Sequence, residues 1–335
     1  MNTIKPFQTE SQQAGQMMTK GVQTKEKNGH KQGWKPIGSN MRLRKNIPLY
    51  IMFLPVILFY VIFKYAPMLG TIIAFKDYNF RDGIWHSPWA GFKYFELLFS
   101  NPQTIQVIWN TLMLGGLTIA VSFPFPILIA ILLNEVRRAW FKKSVQTLIY
   151  LPHFFSWVIV GGMVLMLFSQ EAGLINQWLK AISGEVYPFL YKPLSWVVIF
   201  LSSGIWKEAG FGAIIYLAAL TTIDPSLYEA SSIDGANKWK QIRHVTLPGI
   251  SSTIVLMLIL STGSVLEVSF DQIYVLQNRI VSEVSDVIST YIFRVGLQGA
   301  QFSLTTAMGL FESVVAFILI IGANSVARRF GQGLW

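Results

Sequence analysis

Six apolar stretches, each long enough to cross a bilayer, constrain this chain more than any other feature. A helix needs about 20 mostly apolar residues to span the hydrocarbon layer. Such runs lie at about Pro48–Ala74, Thr104–Leu133, Thr147–Phe168, Leu194–Thr222, Ile250–Ser269 and Leu304–Ala327. Lipid offers no partners to backbone N–H and C=O groups, so runs of this length are expected to be helical. Composition agrees. Of the 335 residues 52% are hydrophobic and only 13% charged, where a soluble chain carries about a quarter charged. The expected class is an all-α integral membrane protein with six transmembrane helices.

Charge placement gives the orientation, because Lys and Arg in short flanking loops stay in the cytoplasm. Nine Lys or Arg precede the first stretch. Arg137, Arg138, Lys142 and Lys143 follow the second; Lys238, Lys240 and Arg243 follow the fourth; Arg328 and Arg329 follow the sixth. The alternate loops hold Asp77, Asp82, Glu96, Glu171, Glu185, Asp271, Glu283 and Asp286. All basic regions share one side if both termini are cytoplasmic. The net charge of +10 then reports membrane orientation and not nucleic-acid binding, for which the scattered lysines lack interleaved aromatics. The chain has no cysteine, which excludes disulfides and thiolate chemistry.

The organisation that follows is a flexible cytoplasmic tail over residues 1–46, a first membrane helix over 47–75 and an external loop over 76–103. A transmembrane domain of helices two to six covers 104–327 and carries a cytoplasmic loop at 223–249, before a short tail at 328–335. The external loop holds Trp85, Trp89, Phe92, Tyr94 and Phe95. Two readings stand: an interfacial aromatic belt, or a docking surface for an external partner.

The cytoplasmic loop reads IDPSLYEASSIDGANKWKQIRHVTLPGI from Ile223 to Ile250. Asp224-Pro225 is a helix-start signal, since Asp caps exposed N–H groups and Pro suits the first turn. Gly235 is expected to stop that helix at a positive φ. A second short helix, about Asn237–Val245, places Trp239, Ile242 and Val245 on one face, and Pro248 leads into the fifth span. On physics alone this is either a well-capped interfacial helix or a stiff element able to transmit force.

Glu229-Ala230-Ser231, Asp234-Gly235-Ala236, Ile242 and Leu247-Pro248 together resemble the EAA signature of binding-protein-dependent ABC importer permeases. Ser231 stands for the second Ala of that pattern, and Val245 for its Ile. Further stretches are similar to the carbohydrate branch, the LplB-like permeases of complex-oligosaccharide importers: NIPLYIMFLP from Asn46, IAFKDY from Ile73, Trp109-Asn110-Thr111, Tyr150-Leu151-Pro152, IWKEA from Ile205, YLAAL from Tyr216 and the terminal Gly333-Leu334-Trp335. The resemblance implies a type I ABC importer permease fold in a bacterial cell membrane. It implies a heterodimer with a second homologous permease, two ABC ATPase subunits that bind ATP-Mg, and an extracellular or periplasmic solute-binding protein. Glu229, Ala230, Ser231, Asp234, Gly235 and Ala236 would form the coupling contact with an ATPase, and an oligosaccharide would cross by alternating access.

Ionisable groups inside a membrane are costly unless paired or solvated. Lys207 and Glu208 lie midway along the fourth stretch beside Trp206, and Glu312 lies in the sixth. Two readings stand again. The charges could pair between helices, Lys207 with Glu312 for example. Alternatively Trp206, Lys207, Glu208, Tyr216 and Glu312, with Trp157 as an addition, could line a watery sugar path, where aromatic platforms and planar polar groups bind saccharides. Gly115-Gly116, Gly161-Gly162, Gly210 and Gly212 permit close helix packing or a hinge. His30, His86, His153 and His244 share no metal-ligand spacing, and neither a phosphate loop nor a G-x-S-x-G nucleophile motif occurs. The chain is thus expected to be non-catalytic and to hold no cofactor. An ion-coupled secondary transporter would show inverted repeats, and a membrane enzyme would show convergent acid–base groups; neither pattern is evident.

Overall fold

The computed structural model describes residues 46–329, 331 and 333; the expected tail before Asn46 and the terminal Leu334-Trp335 lie outside them. The chain divides into two units at Pro67/Met68, inside the expected first membrane helix. In the first unit Pro48 opens a helix at Ile47–Tyr60, which widens into a π-helical stretch at Val61–Tyr65. The helix is apolar on all sides and has no buried residue, a pattern suited to lipid.

Among the described residues four helices are long and apolar enough to cross a membrane: Ile47–Phe75, Pro102–Glu135, Pro193–Leu220 and Phe302–Arg329. There are up to six if each of two bent pairs counts as one span. The first, second, fourth and sixth sequence segments are therefore long helices, and the third and fifth are not straight.

The third segment breaks by 100° between Ala139–Phe154 and Trp157–Phe168. Its cause is local. Pro152 closes a 3-10 turn at Leu151–Phe154, Phe155 is extended, and the Ser156 hydroxyl caps the next helix by accepting from Ile159 N. A 63° bend separates the loop's Lys238–Gly249 from Ser251–Gly263, the helix of the fifth segment. That helix stops at Gly263, so Ser264–Ser269, expected to be membrane helix, instead form a turn and an extended link.

Within the second unit two glycines of the long helices lie against neighbouring backbone. A Cβ on Gly210 would fall on the Ile149 carbonyl, and one on Gly115 would fall on the Val265 carbonyl. The close-packing reading suits these two, whereas Gly116 and Gly162 have nothing within 4 Å of an added Cβ. The 3-10 stretch Leu69–Phe75 lies against the last helix, and Ala74 is buried with Leu98, Val107, Ile288, Tyr291, Ala307 and Met308.

The stretch from Phe270 to Gln298 folds as a lobe of short helices, which long-range hydrogen bonds fasten to the spans. Trp196 Nε1 donates to Leu276 O at 2.9 Å, and Gln272 Nε2 donates to Phe200 O at 2.7 Å. Asn110 Nδ2 donates to Glu283 O and Asp286 O, and Ile288 N donates to Thr111 Oγ1. Each bond satisfies a carbonyl or amide that would be costly to bury alone.

Candidate functional site

A cavity of about 530 Å³ opens between the second, fourth and fifth segments and the turn after the fifth. Small residues make the room: Gly115 and Ser122 on the second segment, Gly204 and Gly212 on the fourth, Ser261 and Ser264 on the fifth. Trp157, Tyr216 and Phe200 give aromatic wall, and Glu208, Glu267 and Gln272 give polar groups. Its size is that of an ordinary small-molecule site.

The break in the third segment decides what Lys207 and Glu208 do. A broken helix leaves carbonyls without N–H partners. Lys207 Nζ donates to one of them, His153 O, at 2.9 Å, and to Glu208 Oε1 at 2.7 Å. Its side chain is only 7% exposed and its ammonium lies 5.4 Å from the Trp157 ring centroid, a cation–π distance. Glu208 Oε2 meets His153 Nδ1 at 2.7 Å, and the imidazole stacks on Phe211 at 3.9 Å. Interhelical pairing of Lys207 with Glu312, an example of one of the two open readings, is not what the structure has: Lys207 pairs with its neighbour Glu208 and with the carbonyl that the break leaves open.

Of the six residues expected along a substrate path, Trp157, Glu208 and Tyr216 line the cavity. Lys207 sits behind them, buried and engaged. Trp206 is half-exposed on the outer surface of the helix, and neither it nor Glu312 lines the cavity. Tyr216 is itself buried, with Phe123 edge-on to its ring.

The second candidate region is the loop after the fourth segment. Asp224 Oδ1 accepts from Ser226 N at 2.9 Å, Pro225 occupies the first turn, and the helix runs Pro225–Ile233. That backbone N–H holds the Asp224 carboxyl below the usual carboxylate value. Gly235 has φ +77°, the left-handed value expected of it. Asn237 then caps Lys238–Gln241 by accepting from Lys240 N, and a π-helical stretch Ile242–Thr246 follows. Glu229, Ala230 and Asp234 are exposed along the outer side. So are the apolar side chains of Leu227, Ile233 (86%) and Trp239 (69%).

The family described as binding-protein-dependent transport system inner membrane component matches residues 122–334. The chain belongs to this family. Protein LplB of Bacillus subtilis (strain 168) is 43% identical to the permease over 290 residues, covering 87% of this chain and 91% of that protein. The polygalacturonan/rhamnogalacturonan transport system permease protein YteP of the same organism is 46% identical over 284 residues, covering 85% and 88%. A chain in the crystal structure of a bacterial ABC transporter involved in the import of the acidic polysaccharide alginate is 44% identical. It superposes with a TM-score of 0.80 over 86% of the permease and 98% of that chain. The permease is a multi-pass membrane protein and a non-catalytic subunit, as its family is.

Three residues of these regions escaped the sequence reading. His153 entered only as one of four histidines that share no metal-ligand spacing; the Pro152…Ser156 break beside it was the available signal. Gln272 lies outside every membrane stretch, and no local pattern marks it. Gln241 drew no reading from the sequence, yet it is buried in the permease.

Proposed function

We propose that the permease is the membrane path of an ATP-driven ABC importer for oligosaccharides released from acidic polysaccharides. The observation that carries this reading is the 44% identity across nearly the whole alginate-transporter chain. The relative named for polygalacturonan and rhamnogalacturonan transport supports the same class. In this reading six spans start and end in the cytoplasm, and all the basic loops then face inward. A distinct second permease completes the path, a solute-binding protein delivers the sugar outside, and two ATPase subunits hold ATP-Mg inside.

The lever is the loop 223–249. Its exposed Glu229, Ala230 and Asp234, with Leu227, Ile233 and Trp239 beside them, offer a mixed polar and apolar surface to an ATPase cleft. Closure of the ATPase pair moves this surface, the spans follow, and the cavity lined by Trp157 and Glu208 changes the side to which it opens. Trp157 supplies a ring face for a pyranose, and Glu208 accepts from its hydroxyl groups.

The test is uptake of labelled oligogalacturonate or oligoalginate into proteoliposomes that hold the complete complex. Uptake should require internal ATP, and Glu229→Arg should abolish both ATPase co-purification and uptake. Uptake driven by a sodium or proton gradient without ATP would replace this reading with a secondary transporter. An intact ATPase complex in Glu229→Arg would remove the coupling assignment.

A further inference from the structure

The two arms of the loop after the fourth segment are held together from inside by the Gln241 amide and by a Tyr228–Thr246 hydrogen bond. Gln241, on the second arm, is 6% exposed. Its Nε2 donates to Ser232 Oγ at 2.8 Å, to Ser231 Oγ at 3.1 Å and to Tyr228 O at 3.4 Å, all on the first arm. Both serine hydroxyls also donate to Tyr228 O, at 2.8 Å each. The circuit closes at the far end of the second arm. Tyr228 OH shares a hydrogen bond of 3.1 Å with Thr246 Oγ1, which in turn donates to Gln241 O at 3.4 Å. Across the turn, Ala236 N donates to Ser231 O at 2.9 Å.

We propose that Gln241 is the positioning residue that makes this loop one rigid lever, so that displacement of its outer face by the ATPase reaches the fifth segment undiminished. The argument is mechanical. The first arm carries Glu229, Ala230 and Asp234 on the exposed side, and the second arm runs on through Thr246 into the membrane. Between the arms the chain passes through Gly235, the most permissive residue for backbone rotation. With nothing bridging the arms, a push on the first would be absorbed at that glycine. The amide bridge spans the hinge on its buried side and takes up the rotation. It also gives Ser231 a purpose. An alanine at that position, as in the EAA pattern, has no hydroxyl for Gln241, and this chain carries the hydroxyl together with its partner.

The inference rests on the coupling assignment of the loop, and the experiment separates the two. The chain has no cysteine, so Ser264→Cys places a single thiol on the cavity wall, where maleimide labelling reads how the cavity opens. In the complete complex, Mg-ATP with vanadate should change that labelling rate. Gln241→Met keeps the side-chain length and removes the donor. It should leave ATP hydrolysis within about twofold while the nucleotide-dependent change in labelling falls at least about fivefold, the lower end of coupling between sites. A merely structural role would lower hydrolysis and labelling in proportion. Ser232→Ala, which removes the shortest of the Gln241 contacts, should reproduce the effect in direction without threatening the helix, since Ala is the best helix former. That variant carries the test if Gln241→Met fails to assemble.

An unchanged labelling response in either variant would overturn the proposal, provided Glu229→Arg abolishes the response. If the unaltered chain shows no nucleotide-dependent labelling, or Glu229→Arg leaves it intact, the coupling assignment itself fails.

Discussion

The lobe of short helices between the fifth and sixth segments and the loop between the fourth and fifth are built alike and fastened differently. Each is a string of short, capped helices outside the long spans. The lobe's hydrogen bonds reach far along the chain: Asn110 to Asp286, Thr111 to Ile288, Gln272 to Phe200, Trp196 to Leu276. The loop's bonds stay within the loop, from Tyr228 to Thr246 and from Gln241 to Ser231 and Ser232. One ion pair joins it to the second segment, Lys238 to Glu135 at 2.9 Å. Both groups are solvent-exposed, and such a pair is worth at most about 1 kcal/mol. The contrast teaches what each part can do. A lobe tied to the spans moves with them as one body; a loop tied to itself can be pushed as a unit from outside.

The largest expected effect breaks the lobe. Asp286 is buried and accepts from Thr290 Oγ1 at 2.8 Å and from both terminal nitrogens of Arg294. That carboxylate holds the Arg294 guanidinium above its ordinary value. Removing one partner of a buried pair costs about 3–5 kcal/mol. Arg294 is 43% exposed, and water can rehydrate it once released, so Asp286→Ala should cost about 2–3 kcal/mol. Thermal unfolding of the purified chain in detergent should register this as one cooperative shift. A local loosening of the lobe with the spans unaffected would deny that lobe and spans form one body.

The smaller effect addresses the loop. Gly235 has φ +77° and open space where a Cβ would sit. Gly235→Ala therefore adds backbone strain without a clash, about 1–2 kcal/mol for an L-residue in the left-handed region. If the loop is self-contained, the loss should appear as faster hydrogen exchange at Ala236 and its neighbours, with protection in the long helices unchanged. Loss of protection throughout the fourth segment would erase the distinction between the two regions.

What could be read from the amino-acid sequence divides along the same line. Asp224-Pro225 and Gly235 act on residues a few positions away, so the start and stop of the loop's first helix were legible, while Gln241, whose partners lie 9 to 13 positions back, was not. Hydropathy marked all six apolar segments, but it is blind to direction. It could not show that Phe155 turns the third segment by 100°. The partner of Lys207 across the helices was out of reach for that reason: His153 O becomes evident only once the break has brought an open carbonyl to it. The lobe was the least legible part. The fastenings named above join residues 72 to 177 positions apart, and no local pattern records them.

The mildest test concerns a third tie, intermediate between the two, in the loop over residues 76–103. Asp77 Oδ1 accepts from Lys93 Nζ at 2.8 Å and from Tyr94 OH at 2.6 Å, closing the loop on itself. Tyr78 N and Lys76 O, on either side of Asp77, bond to Ser303 Oγ at the start of the last helix. The Lys93 ammonium, first, and the Tyr94 hydroxyl hold the Asp77 carboxyl below the usual carboxylate value. A carboxyl depressed in the folded state stabilises it above the unfolded value and loses that contribution as pH falls. The loop should therefore loosen below about pH 4, and Asp77→Asn should remove that dependence. Lys93 and Asp77 are both solvent-exposed, so the change should be small and confined to the loop. Fluorescence of Trp85 and Trp89, both exposed there, reads it directly. A pH response that spread to the last helix through Ser303 would place this loop with the lobe, fastened to the spans; a response confined to the two indoles would place it with the loop after the fourth segment, tied chiefly to itself.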